Sequence, residues 1–476
     1  MKAISMKATS VGHRVGFISD HRSTALAFIL LAAAASLPAA ERPATPAAGL
    51  DAFLTERGID RESRRVLEAA TEWGDAEQKM AIRVLARISA PAELAVQWRA
   101  DARDFAAGSV ADLLGDRLVR VQGRATFIAP QVLTPEQEQL AGRPQFDVVR
   151  IVDANGGVVD VLTNRAPKAW ARWKTIDEPA SAVGLPLSAG VGPRPGPPPQ
   201  DGQPWPEPRA ALELAATGIT WQPPTTLGGL GMDYTLFDTV RDGGKLEAGD
   251  AEAFYGMLAA VARDPGPAAG TAATTPEEML TIINPADKWF AGNRGERLVV
   301  AGVARKATRI AIDDPLRRGQ VGVDHYWELF VFVDTPLIKV DDREQKTYPI
   351  VCCVRTLPEG MPTGDAISER VRVSGFALKR YGYPLADVAI VSSQGDRDEK
   401  GKRMETALVI ADHAVWLPNP TPRGAMNMLF WIFAGLAAAV ALVLGYGAWA
   451  MGRDARLSEQ QARSELPDRI DLPGGD

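Results

Sequence analysis

Cysteine and histidine are scarce in this sequence of 476 residues, which has two cysteines and four histidines. The cysteines, Cys352 and Cys353, are adjacent, so the chain has neither the spaced cysteines of a disulfide framework nor a recognised zinc pattern. Its stability must therefore come from burial. Adjacent residues of a strand point to opposite faces, so one cysteine is predicted in the core and the other outside, with a vicinal disulfide as the less favoured alternative.

Histidine-dependent catalysis is disfavoured by the same scarcity. Two of the four histidines precede an apolar run near the N-terminus. If that segment is removed, only His325 and His413 remain, and they fall on different predicted strands. A Ser-His-Asp or Cys-His system needs its histidine beside the nucleophile. The sequence also lacks the motifs G-x-x-x-x-G-K-[S/T], G-x-S-x-G and H-E-x-x-H, so we predict no catalytic, cofactor-binding or metal-binding residues.

An excess of positive charge is also missing. The formal net charge is −6 and the pI is about 5.5. Lysine plus arginine equals aspartate plus glutamate in both predicted barrel regions, with 11 of each over 115–222 and 18 of each over 295–420. Proteins that bind nucleic acid neutralise its phosphates with a cationic surface. Nucleic acid is therefore disfavoured as a partner.

The N-terminus has the pattern of a secretory signal. Basic residues are followed by the uncharged run 23–40, which ends in small side chains. A positive region, an apolar core and small residues, in that order, are typical of a signal peptide. We predict that 1–40 is a signal peptide, with an uncleaved signal anchor as the alternative.

The C-terminal region contains one long uncharged run, 424–452, which lies between Arg423 and Arg453. About 20 apolar residues are enough to cross a bilayer, so we predict a transmembrane helix over 426–451. Basic residues follow the run, as they do on the cytoplasmic side of a membrane. The tail 452–476 is therefore predicted to be cytoplasmic, and the bulk of the chain extracytoplasmic, in the periplasm.

Five pairs of segments recur in the same order, which indicates an internal duplication. The pairs are 74–88 with 249–263, 115–125 with 295–304, 146–153 with 327–334, 178–187 with 369–378, and 211–224 with 407–420. One such pair could arise by chance, whereas five collinear pairs indicate two related units.

Each predicted unit has a helical front and a strand-rich back. Apolar residues at helical spacing predict helical segments over 50–112 and 232–292, and Asp250 is predicted to cap a helix of the second segment. The backs, 113–225 and 293–420, alternate polar and apolar residues with period two, which predicts strands.

The second back is predicted to contain five strands, near 297–311, 326–334, 348–357, 369–381 and 406–417. Five short strands, with a long connection after the third and a glycine inside the first and fourth, resemble an OB-fold barrel. The V-x-V-x-G strands are similar to those of small exported OB domains and of the tRNA-anticodon-type OB superfamily.

That resemblance implies an exported, membrane-anchored bacterial protein with two OB-like domains. The fold class is then α+β, with two tandem units, each a helical segment followed by a five-stranded OB-like barrel, plus one C-terminal transmembrane helix. A six-stranded SH3-like or other Greek-key barrel is the alternative. Four glycines are predicted to permit the bends or bulges of the barrel strands: Gly123, Gly184, Gly302 and Gly375.

The loops between the fourth and fifth strands differ between the two units. The first loop, 190–208, is proline-rich, and the second, 386–405, is charged. Such loops often flank the binding face of an OB fold, so the resemblance makes them candidate contact sites, with a solvated excursion as the alternative. The candidate contact residues are Arg194, Trp205, Arg397, Lys400, Lys402 and Arg403.

The predicted function is that of a membrane-anchored extracytoplasmic binding or scaffolding protein built on duplicated OB-like domains. Its partners could be envelope proteins, peptides or glycans. The alternative is an envelope enzyme that uses carboxylates in a cleft between the two units. A third interpretation is that the duplication provides only stability and length.

Overall fold

The computed structural model describes residues 49–105, 110–115, 117–190, 192, 195–267, 270–340, 343–384, 403–417 and 423–464. The predicted signal segment 1–40 lies outside these residues. So do four of the candidate contact residues, Arg194, Arg397, Lys400 and Lys402.

The first unit places four helices in front of a barrel. The helices are α1 (Leu50–Glu56), α2 (Arg61–Glu68), α3 (Asp75–Arg87) and α4 (Ala92–Ala100). The barrel strands are β2 (Val119–Val132), β3 (Gln145–Asp153), β4 (Val158–Thr163), β5 (Thr175–Ser188) and β6 (Leu212–Trp221). Three short elements complete the unit: β1 (Arg103–Asp104), which pairs with β2, α5 (Val110–Leu113), and α6 (Pro135–Ala141), which connects β2 to β3.

The second unit repeats this arrangement. Its front contains α7 (Thr226–Gly229), α8 (Ala251–Val261), α9 (Pro276–Ile283) and α10 (Phe290–Asn293), with 3₁₀ turns at Tyr234–Thr239, Ala248–Asp250 and Pro285–Asp287. Its barrel strands are β7 (Arg297–Ala311), β8 (His325–Val340), β9 (Arg343–Thr356), β10 (Glu369–Pro384) and β11 (Arg403–Trp416). Helix α11 (Pro315–Val321) connects β7 to β8, and α12 (Arg423–Ser464) follows the barrel.

Both barrels have the strand order of an OB fold. The first closes in the order β2-β3-β4-β6-β5 and the second in the order β7-β8-β9-β11-β10, each returning to its first strand. The third and fifth barrel strands are parallel in both, and the other pairs are antiparallel. The predicted fold class is therefore confirmed: an α+β chain with two five-stranded closed barrels and an apolar C-terminal helix.

A capped helix lies in the first connection of each barrel. In α6, Thr134 accepts a hydrogen bond from the Gln137 amide, Pro135 opens the helix, and Gly142 ends it in the left-handed conformation. In α11, Asp314, Pro315 and Gly322 occupy the same three roles. Proline at the first helical position and glycine just after the last are both favoured there.

The four predicted glycines lie where two strands approach closely, and none of them has a positive φ. A Cβ at Gly123 would lie 2.0 Å from the Val152 carbonyl oxygen, and one at Gly302 would lie 2.2 Å from that of Phe332. A Cβ at Gly184 or Gly375 would lie 2.5 Å from a carbonyl oxygen of the fifth strand. The glycines therefore serve close backbone approach, and the last two also lie at register shifts between the fourth and fifth strands.

The second strand of each barrel corrects the alignment made from sequence, which matched Phe146 with Trp327. Ala125 pairs with Ile151 in the first barrel, and the equivalent Ala304 pairs with Val331 in the second. Ile151 is therefore equivalent to Val331, one residue from the match made by sequence. A shift of one residue exchanges the two faces of a strand, so it changes which side chains point into the barrel.

Each barrel has an apolar interior and an apolar outer face covered by its own helices. In the first, Val149 and Ile151 point inward, whereas Val148 packs outward against the helical layer. In the second, Cys352 lies in the interior and Cys353 lies in the outer cluster beneath α8. Both thiols are free and buried, so the two cysteines face opposite sides of β9 but neither is exposed.

The last strand of each barrel ends in a tryptophan that bonds to the fourth strand. The Trp221 indole donates to Glu178 over 2.9 Å, and the Trp416 indole donates to Glu369 over 2.8 Å. Trp221 also joins the units, because its ring lies 5.9 Å from that of Trp170 and 5.7 Å from that of Tyr234.

Helix α12 contains a segment long and apolar enough to cross a membrane. The segment Phe430–Arg453 has 24 residues and a mean hydropathy of 2.0, and its apolar side chains are exposed. At 1.5 Å per residue it is about 36 Å long, which exceeds the roughly 30 Å of a bilayer core. Length and composition therefore allow one span.

Candidate functional site

A row of four buried polar side chains crosses the outer face of the first barrel. In the register of the strands, Arg150 of β3 lies opposite Asp160 of β4, and Asp160 lies opposite Glu213 of β6. Glu213 in turn lies opposite Ser188 of β5. Their exposed fractions are 3%, 7%, 3% and 0%, in the order Arg150, Asp160, Glu213 and Ser188. We call these four residues the polar row. Charged side chains are almost never fully buried unless they are paired, so the row requires an explanation.

The members of the polar row bond to one another. Arg150 donates to both carboxylate oxygens of Asp160, over 2.8 and 2.9 Å. Burial raises the pKa of Asp160 above its ordinary value, although the hydrogen bonds from Arg150 act in the opposite direction. The Ser188 hydroxyl donates to Glu213 over 2.9 Å and accepts from the Trp73 indole of the helical layer over 3.2 Å.

The proline-rich segment 195–208, which we call the strap, covers the polar row. Arg150 donates to the carbonyl oxygens of Pro206 and Pro208, the latter over 2.8 Å. The guanidinium lies 5.0 Å from the centre of the Trp205 ring, and that ring forms a T-shaped pair with Phe127, with ring centres 5.4 Å apart. Just before the strap, the Gly192 amide donates to Glu213 over 2.7 Å.

A small concavity of about 20 Å³ remains between the strap and the row. Its wall includes the charged groups Arg150, Asp160, Glu207, Arg209 and Glu213. This volume is far below that of small-molecule sites, which begins at about 300 Å³, so the strap fills most of the space above the row. The carboxylates on its wall already accept bonds from Arg150, Ser188 and the strap region, so the arrangement favours recognition of peptide groups over acid–base catalysis.

The second barrel has apolar residues at three of the four equivalent positions and a lysine at the fourth. Phe330 pairs with Val351, Val351 pairs with Leu408, and Leu408 pairs with Lys379. Lys379 is fully buried, and its ammonium lies 2.6 Å from a carboxylate oxygen of Asp250, which is 1% exposed.

Asp250 lies at the N-cap position of helix α8, where the sequence predicted the helix to start, but its side chain makes no cap bond to α8. It instead accepts from the amides of Arg241 and Glu247 and from Lys379. These bonds attach the second helical front to its barrel.

The face that OB folds commonly use for ligands is covered in both units. That face is formed by the second and third barrel strands with the adjoining loops. In the first unit the helical layer packs on Phe146, Val148 and Leu162 of those strands. In the second, α8 packs on Phe330 and Val351. The residues of these strands that the helices cover are therefore not open to an oligonucleotide.

The candidate contact residues are only partly among the described residues. Trp205 belongs to the strap and packs against Phe127 of the first barrel, and Arg403 is the first residue of β11. The sequence analysis missed Arg150, Asp160 and Glu213. Their signal is a single charge inside an otherwise apolar strand, as in VVRIV, VVDVL and LELAA.

The two described histidines lie apart from the polar row. His325 contacts Asp324 and lies 3.1 Å from Arg309, and His413 lies 3.2 Å from Asp412. Within the described ranges, no three histidine, cysteine, aspartate or glutamate side chains are grouped so that they could hold a metal ion.

Comparison with protein-family models finds no match, and comparison with curated proteins finds none either. Among solved structures, the chain matches a deletion variant of the single-stranded DNA-binding protein from Thermus aquaticus, with 11% sequence identity and a TM-score of 0.15. The match covers 64% of this chain and 96% of that one. A likeness this low carries no argument about function, and the OB-like topology rests on the strand order itself.

Proposed function

We propose that this chain is a membrane-anchored, extracytoplasmic binding or scaffolding protein that displays two duplicated OB-like units on one transmembrane helix. The observation that carries the proposal is the engagement of the polar row. Arg150, Asp160, Glu213 and Ser188 bond to one another and to main-chain groups of the loop above them. Such a set is suited to holding a polypeptide and poorly suited to turning over a substrate.

The proposed duplication is supported by features that occupy equivalent places in the two barrels. Both have the same strand order, a close-approach glycine in the first and fourth strands, a capped helix in the first connection and a tryptophan–glutamate bond at the last strand. The proposed anchor is supported by the exposed apolar segment Phe430–Arg453. The proposed orientation is supported by the basic residues that follow that segment.

The enzyme alternative is favoured by one observation. Asp160 and Glu213 are buried carboxylates, paired in register on neighbouring parallel strands. The enzyme alternative placed its carboxylates in a cleft between the two units, but these two lie under the strap on the first barrel. The isosteric variant Glu213→Gln tests the enzyme alternative, since an enzyme that uses this carboxylate would lose turnover.

The binding function is tested by cross-linking in the native membrane, followed by purification of the full chain. The expected result is a defined partner whose cross-linked yield saturates as cross-linker increases. The matched control carries helix α12 alone on an unrelated soluble protein. If both proteins yield the same cross-linked species, the proposal is wrong.

The orientation is tested with protease added to spheroplasts. We expect digestion up to about residue 423 and protection of a tag fused after Asp476. A digested C-terminal tag together with a protected N-terminal region would reverse the proposed topology.

A further inference from the structure

The strap contacts the first barrel as a bound peptide would. Arg150 donates to the carbonyl oxygens of Pro206 and Pro208. The Trp205 ring packs against Phe127 in a T-shaped arrangement, with ring centres 5.4 Å apart. Phe127 is 2% exposed, so it forms a fixed apolar contact for an aromatic side chain.

A further contact fixes the direction of the strap. The Gln203 amide donates to the Trp173 carbonyl oxygen over 2.8 Å. The Gln203 side-chain oxygen accepts from the Thr175 amide over 2.9 Å and from the Thr175 hydroxyl over 2.8 Å. The strap therefore contacts the first barrel at positions 203, 205, 206 and 208. Contacts of both main-chain and side-chain groups at successive positions can recognise a particular sequence.

The composition of the strap fits the donors of this site. Seven of the fourteen residues in 195–208 are proline. Proline has no amide hydrogen and offers only a carbonyl acceptor, whereas an arginine side chain offers only donors. Proline fixes the backbone angle φ, so a proline-rich segment loses less conformational entropy when it binds.

We propose that Arg150, Asp160, Phe127 and Thr175 form a binding site for a proline-rich segment of a partner protein, and that the strap occupies this site until the partner displaces it. The inference rests on the proposed binding function and names the chemistry of its partner. The strap connects two strands that are held in the barrel by their own ladders, so it can lift while the barrel stays closed. Its tether gives it a high effective concentration, so a free peptide must compete with it.

The test uses the full chain in detergent micelles, with the strap replaced by a glycine-serine linker of equal length. The probe is a fluorescent peptide with the sequence of residues 195–208, followed by anisotropy. We expect saturable binding to the linker variant, and binding at least about tenfold weaker to the unmodified chain because of competition from the strap. A peptide with alanine in place of its tryptophan should bind at least about tenfold more weakly, since it loses the contact with Phe127.

A second variant keeps the strap, in case the linker variant does not fold. Trp205→Ala removes the strap's aromatic anchor, so the same peptide should bind this chain more tightly than the unmodified one. If the peptide binds neither variant while hydrogen exchange shows a folded first barrel, or binds equally with and without its tryptophan, the inference is wrong. Cross-linking of a partner to the unmodified chain is independent of this result, so failure of the peptide experiment alone leaves the binding function standing.

Discussion

The two barrels share a frame and differ in one row of side chains. Arg150, Asp160 and Glu213 in the first barrel are equivalent to Phe330, Val351 and Leu408 in the second. The frame consists of the close-approach glycines, the capped helix and the tryptophan–glutamate bond, which are the same in both. The comparison shows that the shared frame specifies the barrel. The segment that covers the row, the strap in the first barrel and α8 in the second, determines whether the side chains of the row are polar or apolar.

The covering elements explain the difference in chemistry. Helix α8 has its backbone hydrogen bonds satisfied internally and presents apolar side chains such as Met257 and Leu258, so an apolar row fits beneath it. The strap has no ladder of its own and presents carbonyl oxygens, so the row beneath it must supply donors. Buried polar groups need partners, and in the first barrel the strap and the row satisfy each other.

The largest expected effect comes from exchanging the rows. Arg150→Phe should destabilise the first barrel by about 3–5 kcal/mol, because it leaves Asp160 buried without its partner. Adding Asp160→Val should recover part of that loss, because Asp160 is then no longer a buried charge without a partner, whereas the carbonyl oxygens of Pro206 and Pro208 still lack their donor. Hydrogen-exchange mass spectrometry on the full chain measures each barrel separately. A double variant as unstable as the single one would contradict the equivalence of the rows.

A similar effect is expected from the buried pair of the second barrel. Lys379→Met should destabilise the contact between the second helical front and its barrel by about 3–5 kcal/mol, since Asp250 remains buried. The control is Lys306→Met, because Lys306 pairs with Asp365 at the surface over 3.3 Å. That variant should change stability by at most about 1 kcal/mol. Equal effects of the two variants, measured by exchange in α8, would show that burial of the pair is unimportant.

The close-approach glycines should give a smaller effect that is equal in the two barrels. Gly123→Ala and Gly302→Ala should each destabilise their barrel by about 3 kcal/mol, because the new methyl group would meet a carbonyl oxygen of the next strand. Gly319→Ala in helix α11 is the control, since a Cβ there has nothing within 4 Å. If hydrogen exchange of the barrel strands slows or stays unchanged in Gly123→Ala or Gly302→Ala, the close approach of the two strands at that glycine is contradicted.

The smallest expected effect concerns the tryptophan–glutamate bonds. Trp221→Phe and Trp416→Phe keep an aromatic ring but remove the indole donor, so each should destabilise its barrel by about 1 kcal/mol. Hydrogen exchange of the last barrel strand, measured over a series of denaturant concentrations, gives the change in stability for each variant. If one variant is silent while the other is destabilised, the two bonds do not have equivalent roles.

Much of the barrel frame could be predicted from the sequence. The predicted strands 297–311 and 369–381 agree with Arg297–Ala311 and most of Glu369–Pro384, because their apolar residues alternate and each contains a glycine. The prediction near 326–334 was too short, since β8 continues to Val340 through residues without that alternation. Strands that extend beyond the core depend on cross-strand pairing, which a local pattern does not contain.

The polar row could not be predicted from sequence because it depends on register. Arg150 and Asp160 are 10 residues apart on the two strands of one hairpin, but they face each other only at one register, and Glu213 joins them only through the pairing of β4 with β6. The one-residue error in matching Phe146 with Trp327 shows how easily register is lost. Asp250 likewise looked like a helix cap because its partner, Lys379, is 129 residues away.

Because Cys352 and Cys353 point to opposite sides of β9, their thiols can report separately on two opening events of the second barrel. Burial raises the pKa of both thiols, so neither forms the reactive thiolate until its surroundings open. In Cys352→Ala, alkylation of Cys353 should report the rate at which α8 lifts from the outer wall. In Cys353→Ala, alkylation of Cys352 should be slower, because it requires the barrel itself to part. Two adjacent sulfur atoms thus report the rates of two separate local unfolding events, detachment of α8 and opening of the barrel.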